Sequence, residues 1–174
     1  MIIPFKVGVV TASDRSSAGT RPDKSGQLLI SLIHEQLTAE VIAYRVVPDD
    51  KEFLKKTMLH MSNIFFCDII FTTGGSGLAP RDVTPEATKE IIERELPGIA
   101  EAIRYESKKK TKFAMLSRGI AGVHGKTLII NLPGSPEAVK DGFNAVKDIL
   151  PHAAELIRGE VADCRLQHLH SSHS

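Results

Sequence analysis

The sequence predicts an α/β domain in which a mostly parallel sheet lies between two layers of helices. Short apolar runs rich in β-branched residues, at 7–11, 41–47, 68–72 and 127–131, alternate with segments of helical period. These runs are predominantly apolar, as in strands that are buried on both faces. Strands separated by helices in this way usually run parallel, so we expect a three-layer αβα sandwich.

Three segments between or after these strands carry apolar residues at spacings of three or four. The stripes are Leu29, Leu32, Ile33 and Leu37; Leu54, Met58 and Met61; and Val139, Phe143, Val146 and Leu150. Each stripe covers one side of a helix, as expected for helices that pack on a sheet. We assign residues 1–160 to one domain and expect the His-rich residues 161–174 to form a loose tail.

The composition bounds the class of partner. The 22 basic and 21 acidic residues nearly cancel, which gives no electrostatic reason to expect a nucleic acid or a membrane surface. We expect neither export nor membrane spanning, because the residues MIIPFKVGVV do not resemble an export leader and no apolar run approaches the ~18 residues of a membrane span. Cys67 and Cys164 match no metal or redox spacing, so we expect reduced thiols in a cytoplasmic protein, with Cys67 in the core.

Four loops would leave the carboxyl ends of the strands at one edge of the sheet, which is where parallel sheets bind ligands. They read TASDRSSAG, VPDD, TTGGSGLAPRD and NLPGSPEA. The third and fourth loops lead into TPEA and SPEA. We expect Thr84 and Ser135 to be helix N-caps, with Pro85 and Pro136 at the first helical position.

The third loop contains three glycines in four residues, Gly74, Gly75 and Gly77. Glycine lets the backbone turn sharply and lets a ligand, most commonly a phosphate, approach main-chain N–H groups. The sequence GGSG matches neither the dinucleotide fingerprint nor the Walker A pattern, so a purely structural role for this turn stays an alternative to ligand binding.

Two acidic residues on neighbouring strand ends, Asp49 and Asp82, favour a ligand over a structural turn. Carboxylates beside a phosphate site repel the ligand unless a cation lies between them. Mg²⁺ is commonly held by one or two carboxylates together with substrate phosphates. The pattern therefore indicates a metal nucleotide, while a turn or cap role for each aspartate stays the alternative.

Three segments carry a resemblance to a known family: TTGGSGLAPRDVTPEATKEIIERELPGI, FAMLSRGIAGVHGKTLIINLPGSPEAV and RVVPDD. They resemble the molybdopterin adenylyltransferases, the Mog family that includes the gephyrin G domain, and the match runs from Val7 to about His152. The resemblance implies a MoaB/Mog-type fold, a homotrimer, and transfer of AMP from Mg-ATP to the terminal phosphate of molybdopterin. The product would pass to a separate molybdate-inserting enzyme.

The resemblance also implies roles for individual residues. Asp49 and Asp82 match the two catalytic acids of the family, consistent with binding of Mg²⁺. The implied molybdopterin and nucleotide pocket consists of Ser13, Asp14, Thr73, Gly74, Gly75, Ser76, Gly77, Ser117, Asn131, Pro133 and Gly134. Asp50 stands where the family commonly has glutamate and receives no catalytic role, and Ser76 replaces the commoner threonine but keeps a hydroxyl.

Alternatives remain at this stage. The MoaB-like branch often reads GGTGLTGRDQTPEA, whereas LAPRDVTPEAT leans to the Mog branch. A molybdopterin carrier without turnover would keep the glycines and the 131–134 turn but would not need both acids, and a trimeric scaffold is a third possibility. We expect the lysine run at 108–112 to be solvated and His124 to be a turn residue near the pocket.

Overall fold

The computed structural model describes residues 4–159, which form a six-stranded sheet in the order β2-β1-β3-β6-β5-β4. The strands are β1 Phe5–Ala12, β2 Ala39–Val47, β3 Ile69–Thr73, β4 Arg94–Glu95, β5 Ala121–His124 and β6 Thr127–Leu132. The helices are α1 Asp14–Ser17, α2 Lys24–Gln36, α3 Lys51–Asn63, α4 Thr84–Lys89, α5 Pro97–Lys108, α6 Pro136–Val146 and α7 Leu150–Arg158. Short 3-10 helices span Lys112–Leu116 and Lys147–Ile149.

The four predicted strands are confirmed, and they pair in parallel as β2, β1, β3 and β6. Strands β4 and β5 were missed. Strand β5 pairs antiparallel with β6 and with β4. Strand β4 has two residues and both are exposed, so it carries no hydrophobic signal in the sequence.

The predicted three-layer arrangement is confirmed by two separate cores, one on each face of the sheet. Because side chains alternate along a strand, Val9 of β1 packs with Leu29 and Phe143, whereas Val10 packs with Leu54 and Met58. Helices α2, α5, α6 and α7 cover the first face, and α3 and α4 cover the second. Burial on both faces explains the apolar runs of β1, β3 and β6, whereas the edge strand β2 is only partly buried.

Strand order places a crevice beside β1. The chain leaves β1 through α2 on one face to reach β2, then returns through α3 on the other face to β3. Such a switch point is where open α/β sheets bind ligands, beyond the carboxyl ends of the strands. Gly74 lies there with φ of +88°, and a Cβ on it would come within 2.3 Å of the Ala12 carbonyl oxygen. The loops after β1 and β3 therefore pack directly together.

The two expected helix caps have different outcomes. Ser135 is confirmed as the N-cap of α6, where its side chain accepts a hydrogen bond from the Ala138 N–H. The expectation for Thr84 is wrong, because Val83 is the N-cap of α4 and Thr84 lies inside the helix. The Thr84 hydroxyl donates instead to the Gly74 carbonyl at 2.9 Å. This hydroxyl stabilises the glycine-rich turn instead of the helix end.

Cys67 lies in the core as expected, and burial raises the pKa of its thiol to about 12. Cys164 and the His-rich residues 161–174 lie outside the described residues, so their assignments stay predictions. Among residues 4–159, no helix is both long and apolar enough to cross a membrane.

Candidate active site

Two adjoining cavities open at the carboxyl edge of the parallel strands. The larger, of about 760 Å³, lies between the glycine-rich loop, α5, the first 3-10 helix and the start of α6. The smaller, of about 380 Å³, lies where the loops after β1, β2 and β3 meet. Gly75, Asp82 and Gly134 line both cavities. We call them the large and the small cavity, and these three residues the shared wall.

The glycine loop, residues 74–83, supplies most of this wall. Gly75 has φ of +64°, and a Cβ on it would lie 2.4 Å from the Thr84 hydroxyl and 3.2 Å from Asp49 Oδ1. A Cβ on Gly77 would lie 2.8 Å from Asp82 Oδ2. Side chains at either position would displace an acidic group of the site. The glycines therefore let both carboxylates come close to the main chain.

Asp14 and Asp49 hold each other across the small cavity. The Asp14 N–H donates to Asp49 Oδ2 at 2.9 Å, and the Asp49 N–H donates to Asp14 Oδ1 at 3.0 Å. Arg81 donates to both oxygens of Asp14 at 2.8 Å. Although Arg81 and Asp82 are neighbours in sequence, the guanidinium pairs with Asp14, so Asp82 is left without a cationic partner among residues 4–159. These contacts join the loops that follow β1, β2 and β3.

The two acids that hold each other differ electrostatically. Burial raises the pKa of Asp49, and the nearby charges of Asp14 and Asp82 add to that rise, while its hydrogen bond from Asp14 opposes it. The hydrogen bonds from Arg81 lower the pKa of Asp14. Asp49 therefore lies in a negative and partly desolvated environment, which a bound cation would relieve.

The donor set fits a magnesium ion shared with a substrate. Asp82 Oδ2 accepts the Ala79 N–H at 2.9 Å, and Oδ1 has no hydrogen-bond partner among residues 4–159. No group of three or more His, Cys, Asp or Glu side chains in the described part of the chain could by itself hold a metal ion. Magnesium keeps several waters and takes phosphate oxygens as ligands, so two carboxylates are sufficient.

The structure brings most of the sequence-predicted pocket residues to these cavities. The small cavity is lined by Ser13, Asp14, Asp49, Thr73 and Gly74, and the large one by Ser76, Gly77, Ser117 and Pro133, in addition to the shared wall. Ser13 also caps α1 by accepting the Ser16 N–H at 3.1 Å. The Thr73 hydroxyl donates to the Pro133 carbonyl at 2.8 Å, which fixes the 131–134 turn against β3.

Asn131 lines neither cavity. Its side chain is 3% exposed, and its Oδ1 accepts the Ile120 N–H at 3.2 Å. Its Nδ2 donates to the hydroxyls of Thr72 and Thr88, each at 2.9 Å. Every polar atom of the amide therefore has an internal partner, and Asn131 fastens β6 to β3 and α4 beneath the site. Its direct role in ligand binding stays a prediction.

His124 directly precedes the two-residue turn between β5 and β6, but the expectation that it lies near the pocket is wrong. It ends β5 and pairs with Thr127 at the start of β6, at the edge of the sheet opposite the cavities. Its Nδ1 lies 2.8 Å from the Ile91 carbonyl oxygen. The neighbouring glycines, Gly122 and Gly125, belong to the β5–β6 hairpin. In the lysine run, Lys110 lines the large cavity and pairs with Asp141.

Sequence reasoning missed Ser107. Ser107 is 5% exposed and lines the large cavity. Among residues 4–159, its hydroxyl is the only buried side-chain oxygen or nitrogen without a hydrogen-bond partner. A buried hydroxyl without a partner is unfavourable unless a ligand supplies one. The available signal was its place on the buried side of α5, four residues after Ile103, where an apolar side chain is expected.

Residues 8–152 match the family described as "Probable molybdopterin binding domain". The chain belongs to this family. It is 40% identical over 154 residues to a Helicobacter pylori J99 protein named "Molybdopterin adenylyltransferase", covering 88% of each chain. It is 42% identical over 161 residues to the Drosophila melanogaster "Molybdenum cofactor synthesis protein cinnamon", covering 92% of this chain but only 27% of the longer fly protein.

Solved structures of the family share the fold. The structure of the Thermus thermophilus "Molybdopterin biosynthesis enzyme MoaB" has a TM-score of 0.83 and 46% identity, covering 89% of this chain and 97% of that one. A structure of MogA has a TM-score of 0.82 and 38% identity, covering 87% and 99%. The structural neighbours therefore include one protein named MoaB and one named MogA, and the predicted MoaB/Mog-type fold is confirmed.

Proposed function

We propose that this chain adenylylates molybdopterin, transferring AMP from Mg-ATP to the terminal phosphate and releasing pyrophosphate. The observation that carries the proposal is the shared wall, where Asp82 and the glycine loop border two cavities at once. A carrier needs a pocket for one ligand, whereas a transferase needs two ligands that meet. Relatives named molybdopterin adenylyltransferase support the same reaction.

The small cavity suits the phosphates of the nucleotide. Arg15, Arg21 and Lys24 line it, and these side chains have no ion pair within residues 4–159. Asp49 and Asp82 lie on its walls. Cationic groups and a carboxylate pair together suit a Mg²⁺-bound triphosphate, with the metal at the acids and phosphate oxygens at the cations.

The large cavity suits the pterin. It combines exposed apolar side chains, among them Phe113 and Leu116, with hydrogen-bonding groups that include Ser107 and Arg104. A pterin is a flat ring with donors and acceptors along one edge, and such ligands bind in mostly apolar pockets with a few polar groups. The molybdopterin phosphate would then point toward the shared wall.

The reaction needs little acid–base chemistry from the protein. The terminal phosphate of molybdopterin is already anionic, so its oxygen attacks the α-phosphorus of ATP without a general base, and the bond to the pyrophosphate oxygen breaks. Magnesium, when bound, screens the charge of the phosphates. Asp49 and Asp82 would hold that ion, and main-chain N–H groups of the glycine loop would orient the phosphate oxygens.

Assembly and cellular context follow the family resemblance. We expect a homotrimer in the cytoplasm that passes adenylyl-molybdopterin to a molybdate-inserting enzyme. The chain mass is 19.0 kDa, so light scattering at micromolar concentration should give about three times that value. A mass of one chain would contradict the trimer and leave the catalytic proposal intact.

The direct test is incubation of the protein with ATP, Mg²⁺ and molybdopterin, with mass spectrometry of the products. We expect adenylyl-molybdopterin and an equal amount of pyrophosphate, and loss of both when Mg²⁺ is chelated. Tight binding of molybdopterin without any adenylylated product would favour the carrier function and overturn the proposal.

A further inference from the structure

Arg118 makes an unusual set of contacts with the glycine loop. Its N–H donates to the Ser76 carbonyl at 2.8 Å, its Nε donates to the Gly77 carbonyl at 2.7 Å, and its Nη2 donates to the Asp82 carbonyl at 2.7 Å. Its Nη1 forms an ion pair with Glu86, in the first turn of α4. One residue therefore contacts the glycine loop near its start and near its end, and it also contacts the helix that follows.

The planar shape of the guanidinium makes these contacts restrictive. Nε and Nη2 have fixed relative positions, so the carbonyls of Gly77 and Asp82 are held at a fixed separation across the turn. Other contacts also hold the loop, since the Thr84 hydroxyl donates to the Gly74 carbonyl and Arg81 pairs with Asp14. Within residues 4–159, however, only Arg118 donates to the carbonyl oxygens of Ser76, Gly77 and Asp82. Arg118 thus defines the path of the main chain that carries the Asp82 carboxylate.

The contacts leave the Asp82 carboxylate free to act. The guanidinium binds the main-chain carbonyl of Asp82 and does not contact the carboxylate oxygens. Glu86 balances the charge of Arg118. Burial raises the pKa of Glu86 and the hydrogen bond from Arg118 lowers it, with a net decrease, so Glu86 is ionised at neutral pH.

We propose that Arg118 is a positioning residue for adenylyl transfer: it sets the location of Asp82 at the shared wall by holding the glycine loop through its carbonyls. This inference rests on the proposed function. Arg118 touches neither substrate nor metal in this assignment.

The test variant is Arg118→Lys, which keeps the charge and can reach one carbonyl but cannot bridge two in a fixed plane. We expect kcat to fall about 10-fold to 100-fold, because small displacements of a catalytic group have effects of that size. KM for molybdopterin should change by less than about 2-fold, and the Mg²⁺ concentration for half-maximal rate should rise. Hydrogen exchange of peptides that cover residues 74–83 should be faster.

Arg158→Lys is the matched control. Arg158 donates from Nε and Nη2 to Asp68, at the edge of the sheet opposite the cavities, so its replacement perturbs another half-buried arginine fork. We expect Arg158→Lys to lower the melting temperature without changing kcat per folded molecule or hydrogen exchange at 74–83. Glu86→Gln removes the charge of one partner of Arg118 and should have a smaller effect on kcat than Arg118→Lys.

Each outcome decides a separate point. Unchanged kcat in a folded Arg118→Lys variant, or unchanged hydrogen exchange at 74–83, would overturn the positioning role. If the wild-type chain makes no adenylyl-molybdopterin, the proposed function fails, while hydrogen exchange still shows whether Arg118 holds the loop. Should Arg118→Lys not fold, Glu86→Gln serves as the variant. Faster hydrogen exchange at 74–83 together with a reduced kcat would support the positioning role. If hydrogen exchange and kcat both stay at their wild-type values, the role is contradicted.

Discussion

The two cavities are built from different parts of the fold. The small cavity is formed by loops that leave three parallel strands, and hydrogen bonds between Asp14, Asp49 and Arg81 join those loops. The large cavity is formed mainly by α5, a 3-10 helix and the start of α6, with exposed apolar side chains at its rim. The first suits metal and phosphate, and the second suits a flat organic ring.

This difference indicates a division of labour. Groups in the small cavity and the shared wall should affect mainly the rate of transfer, because in the proposed reaction they face the phosphates that react. Groups found only in the large cavity should affect mainly the affinity for molybdopterin. Variants placed in the two regions therefore test the assignment through kcat and KM separately.

The largest effect is expected at the shared wall. Asp82→Asn keeps the side-chain shape and an oxygen that can accept the Ala79 N–H, but it loses the charge that would hold Mg²⁺ in the proposed reaction. We expect adenylyl transfer to fall about 100-fold or more. Affinity for molybdopterin should not decrease, since removal of a negative charge from the site cannot electrostatically weaken the binding of an anionic ligand.

Asp50→Asn is the control for this variant. Asp50 caps α3 by accepting the Phe53 N–H at 3.0 Å and lines neither cavity. It should keep transfer per folded molecule within about 2-fold, since asparagine is also a good N-cap. Normal transfer by Asp82→Asn, with a lower melting temperature, would mean that Asp82 only stabilises its turn.

A smaller loss of transfer is expected for Asp49→Asn, because Asp49 lines only the small cavity and is not part of the shared wall. We expect on the order of a 10-fold decrease. The same variant should be more stable than wild type at neutral pH, because burial raises the pKa of Asp49 and ionisation is therefore unfavourable in the folded state. Asparagine can still accept the Asp14 N–H.

The pH dependence gives this prediction its sign. Below the ordinary aspartate pKa of about 3.9, the carboxyl is protonated in both folded and unfolded states, so the stabilisation should vanish. It should grow as the pH rises through the elevated pKa of folded Asp49 and then stay constant. Thermal melts between acidic and neutral pH measure it, and a variant that is less stable than wild type at neutral pH would contradict the account.

The smallest effect is expected in the large cavity. Ser107→Ala removes a buried hydroxyl that has no partner in the described chain, so the melting temperature should stay the same or rise. If that hydroxyl binds the pterin, KM for molybdopterin should rise about 3-fold to 10-fold, with KM for ATP and kcat nearly unchanged. A raised KM for ATP alone would reverse the assignment of the two cavities.

The sequence predicted the strands of the small cavity better than the walls of the large one. Apolar runs and glycines carry local signals, so the parallel strands and the glycine loop could be placed from spacing alone. The partner of Arg81 could not be predicted in this way, because the guanidinium does not pair with the neighbouring Asp82 but with Asp14, 67 positions away. Thr84 was misread for the same reason, since its hydroxyl bonds to a glycine loop whose path the sequence does not specify.

The central claim is that the two cavities hold two substrates at once on either side of Asp82. Equilibrium dialysis of wild-type protein with molybdopterin, Mg²⁺ and α,β-methylene-ATP, which cannot transfer AMP, tests it directly. We expect one molybdopterin and one nucleotide to bind each chain at the same time, and Asp82→Asn to keep molybdopterin binding. Competition between the two ligands for a single site would contradict it.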